Sequence, residues 1–204
     1  MSSVVVGTDG VLRCDWCSDA PEFYVYHDGE WGYPEGDDIL LFEKLCLESF
    51  QSGLSWRTIL AKRDNFRSAF HGFDFNVVSE FTDDDIKLLL TNEGIVRHRG
   101  KIEAVINNAR CAKKIVEQKG SIAAFFWSFE PNEEGISDSQ QALAIDASKA
   151  FAKALKKNGW KFIGPTTSYA FMQAAGIIND HVEDCVFRNE AIKARENFNK
   201  PKFR

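Results

Sequence analysis

The sequence has no apolar run approaching the roughly 18 residues a membrane-spanning helix needs. Its first ten residues contain neither a basic cluster nor a long apolar core, so no secretory signal is expected there and a cytoplasmic location is. Sustained polar–apolar alternation is missing beyond very short pieces, which excludes a large sheet. There is no internal repeat and no low-complexity tract. Excess positive charge is absent as well: the net charge is −5, so nucleic-acid binding would have to rest on a local patch. The five cysteines are odd in number and scattered. Without an export signal, that favours reduced thiols or metal ligands over a disulfide framework.

What is present is an ordinary globular balance, 44% hydrophobic and 27% charged, enough to bury a core. The stretch from Glu43 to Arg57 is the most informative. Leu41, Phe42, Leu45 and Cys46 make a helical apolar stripe, and Glu48 continues it. A carboxylate on an apolar face is expensive unless it is paired or has a task. Gln51-Ser52-Gly53 then weakens the helix, leaving Leu54 and Trp56 on a turn. Asp37 or Asp38 is placed to cap this helix. Further helices are expected over 55–70, from Thr82 as cap, over 101–119 ending at Gly120, over 121–129, over 148–158 stopped by Gly159, and over 166–176. Residues 130–146 read as a polar, acidic connection. The fold class is all-α. Residues 1–12 read as a flexible tail, 13–187 as one domain, and 188–204 as a polar, basic tail.

Three groupings carry chemistry. His181 and Cys185 stand four apart, near enough to share an ion, while Cys14, Cys17 and His27 offer further ligands from the other end of the chain. A Cys2His2 set is the pattern of a closed structural zinc site; unligated cysteines with a capping histidine are the alternative. The second grouping is a run of lysines, Lys149, Lys153, Lys156, Lys157 and Lys161, leading to the turn Gly164-Pro165 and a helix start at Thr166 and Thr167. Free amides at such a start suit phosphate, although a merely solvated lysine face has the same spacing. A smaller basic cluster, Arg97-His98-Arg99 with Lys101, precedes another helix. The third is aromatic: Trp16, Phe23, Tyr24, Tyr26 and Trp31, with Trp56 after the acid. Aromatic walls and one carboxylate suit a flat, electron-poor ring, and ordinary core is the competing reading.

Arg13-Cys14-Asp15-Trp16, Tyr26-His27-Asp28-Gly29-Glu30-Trp31-Gly32, Leu47-Glu48 with Gly53-Leu54-Ser55-Trp56, Gly94-Ile95-Val96-Arg97-His98-Arg99-Gly100-Lys101, and Phe171-Met172-Gln173-Ala174 with Asn179-Asp180-His181 together resemble the DNA-3-methyladenine glycosylase I family, in its order. The resemblance runs from about Arg13 to Cys185. It implies a helix-hairpin-helix glycosylase fold in which 13–36 and 177–187 form a zinc-tied part. One structural zinc would be held by Cys14, His27, His181 and Cys185. It implies Glu48 as the catalytic residue, with Trp16, Phe23, Tyr26 and Trp56 around the base. Phe23 stands where a tyrosine is common in the family. The resemblance also implies a hairpin at 162–169 on the DNA backbone, with Lys161, Gly164, Thr166 and Thr167 as contacts, and Gly53-Leu54 filling the space of an extruded nucleotide.

The implied activity is excision of 3-methyladenine from alkylated double-stranded DNA by hydrolysis of the N-glycosidic bond. No strand cleavage is expected, because no lysine is placed for Schiff-base chemistry. Asp180 lies where such glycosylases place a supporting aspartate, but it directly precedes a zinc ligand. A monomer without membrane attachment or an obligate protein partner is expected. Two rivals are a non-catalytic DNA-binding protein of the same fold and a zinc-dependent hydrolase using Glu48 as base. Four protein ligands would leave the latter no open position for water.

Overall fold

A computed structural model describes residues 3–131 and 137–203. In chain order the elements are strands β1 (Val4–Val6) and β2 (Leu12–Cys14), a 3-10 turn (Asp15–Asp19), and helices α1 (Glu22–Gly29), α2 (Asp38–Gln51), α3 (Trp56–Ala61), α4 (Arg63–Ala69), α5 (Phe75–Val78), α6 (Asp83–Thr91), α7 (Arg99–Lys119), α8 (Ile122–Trp127), α9 (Ser137–Lys157), α10 (Pro165–Ala174) and α11 (Val186–Glu196). The protein is mostly helical, and its chain divides into two compact units. Residues 1–35 with 172–199 form the first; 36–171 with 200–204 form the second.

The helix starts follow capping chemistry. Asp37 accepts from the amides of Ile39 and Leu40 and caps α2. Its neighbour Asp38 does something else: it accepts from Ser121 Oγ and from the amides of Ile122 and Ala123, holding the start of α8. Thr82 and Asp85 form a reciprocal capping box on α6, whose first turn carries three acids toward the positive end of its dipole. Gly120, at φ 87°, closes α7 in the left-handed conformation.

The second unit is built round α2, in which all ten residues from Leu41 to Phe50 are buried. Phenylalanines fill the space beside it. Phe50 packs on Phe66 at 4.6 Å and on Phe70 at 5.9 Å, and Phe70 stacks on Phe73 at 5.5 Å. A second aromatic group joins Phe126, Phe151, Phe171 and Trp160. These rings convert the aromatic richness of the sequence into core, each contributing roughly 1.5–3 kcal/mol on burial.

Three expectations are corrected. The flexible tail expected over 1–12 contains strand: β1 within it pairs antiparallel with β2, which begins at its last residue, with Val4 opposite Cys14 and Val6 opposite Leu12. Three-residue strands are too short to show a period. The connection expected over 130–146 is helical from Ser137, because Ala144, Phe151 and Leu155 extend a buried helix face toward the N-terminus; residues 132–136 lie outside the described residues. The C-terminal tail is also structured. Residues Val186–Glu196 form α11, which buries Ala191; Tyr33 Oη donates to Glu190 at 3.2 Å, and Arg195 donates to the Gly176 carbonyl. Within the expected domain the chain forms the two compact units given above, the first of which includes α11.

The first unit is closed by glycines where side chains cannot fit. Gly176 has φ 64°, and a Cβ there would lie 2.3 Å from the carbonyl carbon of Tyr33. At Gly32, with φ 83°, a Cβ would meet the His181 ring at 2.5 Å. At both positions the backbone conformation and the close approach require glycine.

Candidate active site

In the first unit the structure gathers Cys14, His27 and Cys185, whose ligand atoms all lie within 4.8 Å of one another, a group able to hold a metal ion. All three are buried. His27 directs Nε2 toward Cys185 Sγ at 3.6 Å, and its Nδ1 faces Asp28 Oδ1 at 2.8 Å. Asp28 in turn accepts from Arg13 Nε at 2.9 Å and from Arg13 Nη2 at 2.7 Å, so the imidazole is oriented by a carboxylate that is itself fixed. His181, expected as a fourth ligand, is not one of that group but lies next to it: its ring centroid is 5.0 Å from that of His27, Asn179 holds Nδ1 at 3.0 Å, and Nε2 is buried with no hydrogen-bond partner among the described residues. Burial, then the neighbouring His27, push its pKa down to about 4, so it is a neutral imidazole with a free nitrogen, as a metal ligand must be. The Cys14 thiol hydrogen-bonds to Cys185, holding the Cys185 thiol well below its usual range.

Beside this group lies the aromatic cluster. Trp16 touches Phe23 at 5.9 Å, Tyr26 at 6.3 Å, His27 at 5.4 Å and Trp31 at 5.1 Å between centroids. Its buried Nε1–H has no acceptor among the described residues. Trp31 is turned instead toward the histidines, 6.0 Å from His27 and 4.7 Å from His181, beside the cysteine–histidine group.

In the second unit Glu48 is 7% exposed, and among the described residues nothing donates a hydrogen bond to its carboxyl. Loss of water raises its pKa to about 8, although Lys44 one turn earlier pulls the other way. The helix it rides on ends in an exposed turn: Gly53 has φ 79° with open space around it, and Leu54 is 41% exposed. The segment between α9 and α10 is held by side chains. Asn108 receives the Lys161 amide on Oδ1 at 2.8 Å and returns a bond from Nδ2 to the Lys161 carbonyl at 3.0 Å. Asn107 Nδ2 reaches the Gly159 carbonyl at 2.8 Å, and Ser49 Oγ donates to the Phe162 carbonyl at 3.1 Å. Those bonds sustain a left-handed Phe162, φ 58°. Lys149, Lys153, Lys156, Lys157 and Lys161 are all exposed, and Lys149 pairs with Asp146 at 2.9 Å.

The family model for methyladenine glycosylase matches residues 16–189. The chain belongs to the methyladenine glycosylase family. It is 45% identical over 177 residues to DNA-3-methyladenine glycosylase 1 of Escherichia coli (strain K12), covering 85% of this chain and 95% of that protein. To the DNA-3-methyladenine glycosylase of Haemophilus influenzae it is 43% identical over 177 residues, covering 85% and 96%. The structure of 3-methyladenine DNA glycosylase I from Staphylococcus aureus, which concerns recognition of 3-methyladenine, aligns with a TM-score of 0.79 at 37% identity, covering 86% of this chain and 96% of that one.

Within this methyladenine glycosylase, Cys14, His27, His181 and Cys185 come together in one unit, as do Trp16, Phe23 and Tyr26. Glu48, Trp56, Gly53 and Leu54 belong to the other, together with Lys161, Gly164, Thr166 and Thr167. Asp180 accepts from Gln173 Nε2 at 2.6 Å. The smaller basic cluster is partly neutralised: Arg97 pairs with Glu93 at 3.4 Å and Arg99 with Glu103 at 3.1 Å, while His98 caps α7. Asn107 and Asn108 escaped the sequence reading, and Asp28 and Asn179, present there within motifs, had no role of their own. Asn108, 1% exposed, sits amid Val105, Ile106 and Ala109, and a polar residue at a core position was the available signal. Asp28 and Asn179 act on neighbours one and two residues away, a relation with no periodic trace.

The Glu48 carboxyl makes stability depend on pH. Unfolded, it titrates near its ordinary value of 4.5; folded, near 8. As pH rises through that window the unfolded chain releases the proton and the folded one retains it, so stability falls, by up to about 1.4 kcal/mol per pH unit, and levels off above 8. Glu48→Gln removes this loss. Denaturant unfolding of both proteins should show the variant more stable at pH 8.5 and the two converging near pH 4; parallel curves would place Glu48 in contact with water.

Proposed function

We propose that this protein excises 3-methyladenine from alkylated duplex DNA, with Glu48 reading the extruded base. The desolvated carboxyl of Glu48 is the observation that supports this most directly. A 3-methylated adenine in DNA carries positive charge and departs as a neutral base, so the leaving group needs no full protonation. The enzyme's tasks are extrusion, recognition and orientation. Near pH 7 a carboxyl with a pKa of about 8 is mostly protonated. A cationic base set against it draws the proton off, and the resulting carboxylate accepts hydrogen bonds from the adenine edge. Neutral adenine has no charge to draw the proton with, so ordinary DNA is disfavoured electrostatically. We assign Trp16, Phe23, Tyr26 and Trp56 to the faces of the base, and the unpartnered Trp16 N–H suits an acceptor on a ligand. Water completes the hydrolysis at the sugar, leaving an abasic site in an intact strand.

Because cation binding expels a proton from Glu48, kcat/KM for excision should rise with pH to about 8 and then flatten. Glu48→Gln should lose that limb and, with a donor misplaced against the base, roughly ten- to a hundredfold in single-turnover release, about 1–3 kcal/mol. Wild-type release by a folded Glu48→Gln protein would remove Glu48 from the site.

We assign α9, the 158–164 segment and α10 to a helix-hairpin-helix grip on the DNA backbone. The exposed lysines supply charge, and Gly164, Thr166 and Thr167 lie where α10 presents its first amides. Pro165 at the first helical position gives up no amide hydrogen bond that the helix would use. Such contacts read no sequence. Reversing Lys156 and Lys157 to Glu should weaken damaged and undamaged duplex alike and flatten the dependence of affinity on salt. Unchanged binding at low salt would leave the lysines as a solvated face.

We further assign one structural zinc to Cys14, His27, His181 and Cys185. Two thiols and two imidazoles, one with an orphaned buried nitrogen, fit that ion, and four protein ligands suit a closed site. Zinc there ties the two ends of the first unit together. Elemental analysis should give about one zinc per chain, and Cys185→Ala should lose the metal and thermal stability in proportion. Purified protein that is metal-free and equally stable would refute the assignment.

A further inference from the structure

The turn that ends α2 is held by a buried cation. Ser52 has φ −46° and ψ 114°, Gly53 has φ 79°, and the Leu54 amide donates to the Gln51 carbonyl at 2.7 Å. This is a type II turn, with glycine at the position that needs a left-handed φ. Type I and type II turns differ mainly by a flip of the central peptide, here Ser52–Gly53, which sends its carbonyl to the opposite side. Lys101, near the start of α7, donates from Nζ to that Ser52 carbonyl at 2.6 Å and to the Phe50 carbonyl at 2.9 Å. The second bond serves the last turn of α2, where carbonyls lack amide partners and the negative end of the helix dipole lies.

Lys101 is only 6% exposed, and among the described residues its ammonium is bonded to those two carbonyls and to no carboxylate. Burying an ammonium without a counter-ion is costly, so its bonds need to secure something an apolar residue would not. A peptide flip at Ser52 would break one of them. The Leu54–Gln51 bond is compatible with either turn type, and a Cβ at Gly53 would meet open space, so neither opposes the flip. The Lys101 bond to the Ser52 carbonyl therefore favours one orientation of the peptide that leads to the exposed Leu54.

We propose that Lys101 is a positioning residue, which locks the Ser52–Gly53 peptide so that Leu54 enters the duplex as a preformed apolar tip in place of the extruded nucleotide. The inference rests on the glycosylase reading above. An ordered tip loses little conformational freedom on insertion, whereas a flipping one must be ordered during the encounter.

The test compares two readouts on Lys101→Met, which keeps the buried stem and removes the ammonium. Single-turnover release of 3-methyladenine from alkylated duplex should fall tenfold or more, as should affinity for duplex holding an abasic site. Affinity for free 3-methyladenine, which needs no extrusion, should stay at the wild-type level. Lys101→Arg should recover most of the duplex activity and carries the same comparison should the methionine variant fold poorly. Gly53→Ala, which strains the turn without touching Lys101, should show the same split, and adding it to Lys101→Met should cost less than the two separate losses combined. Wild-type duplex rates in Lys101→Met, or a parallel loss of free-base binding, would overturn the role. Absence of excision by the wild-type protein would instead refute the glycosylase reading on which it rests.

Discussion

Ten consecutive buried residues, Leu41 to Phe50, oblige α2 to settle within the protein every charge it carries. It carries three there. Glu43 is met by the Arg67 guanidinium, Nε to both carboxylate oxygens at 2.9 and 3.0 Å. Lys44 and Glu48 face one another's fields across one turn. Glu43 has a forked, charge-assisted partner and is structural. Glu48 has no such partner among the described residues, and loss of water holds its pKa up at about 8. At the buried end of that run the Phe50 carbonyl receives a lysine from α7, Lys101 Nζ at 2.9 Å.

The helical architecture was readable because its signals are local. Capping residues, left-handed glycines and 3.6-residue apolar spacing act within a few positions, and they placed α6, α7 and the lower half of α9 well. What could not be read depends on distant partners. Asp38 looks like a second candidate cap for α2, yet it serves the start of α8, more than eighty residues later. The hairpin of β1 and β2 is too short for a pattern. The helix α11 is rich in charge, and only its buried Ala191 and its long-range bonds reveal that it belongs to a packed unit.

For the candidate site, residue types carried the argument further than spacing did. An acid on an apolar stripe pointed to Glu48, and its burial follows from the stripe itself. Cysteines and histidines at opposite ends suggested a shared ion, but spacing could not say which of Cys14 and Cys17 belongs. The structure separates them: Cys17 donates from Sγ to the Cys14 carbonyl at 3.0 Å, while Cys14 faces Cys185. Trp31 reads like its aromatic neighbours and differs in function because it packs on His181. Lys101 reads as one more member of a basic cluster, and only burial distinguishes it from Arg97 and Arg99.

The first unit is assembled from two stretches, residues 1–35 and 172–199, that are far apart in the chain. Synthesis runs from one to the other. At about 5–20 residues per second, on the order of ten seconds separate the emergence of Cys14 from that of its partner Cys185. Throughout that interval the N-terminal stretch has its thiols, its aromatic side chains and a short hairpin, but not the residues that bury them. The second unit is nearly all one stretch, Gly36 to Phe171, to which only Lys200–Arg204 are added later. A nascent chain arrested near residue 171 would therefore hold a structured middle and a reactive beginning. Its Cys14 and Cys17 would be open to alkylation, which they escape once the chain has cleared the ribosome. Order of folding is in this way written into the order of the sequence, with the cysteine–histidine group last.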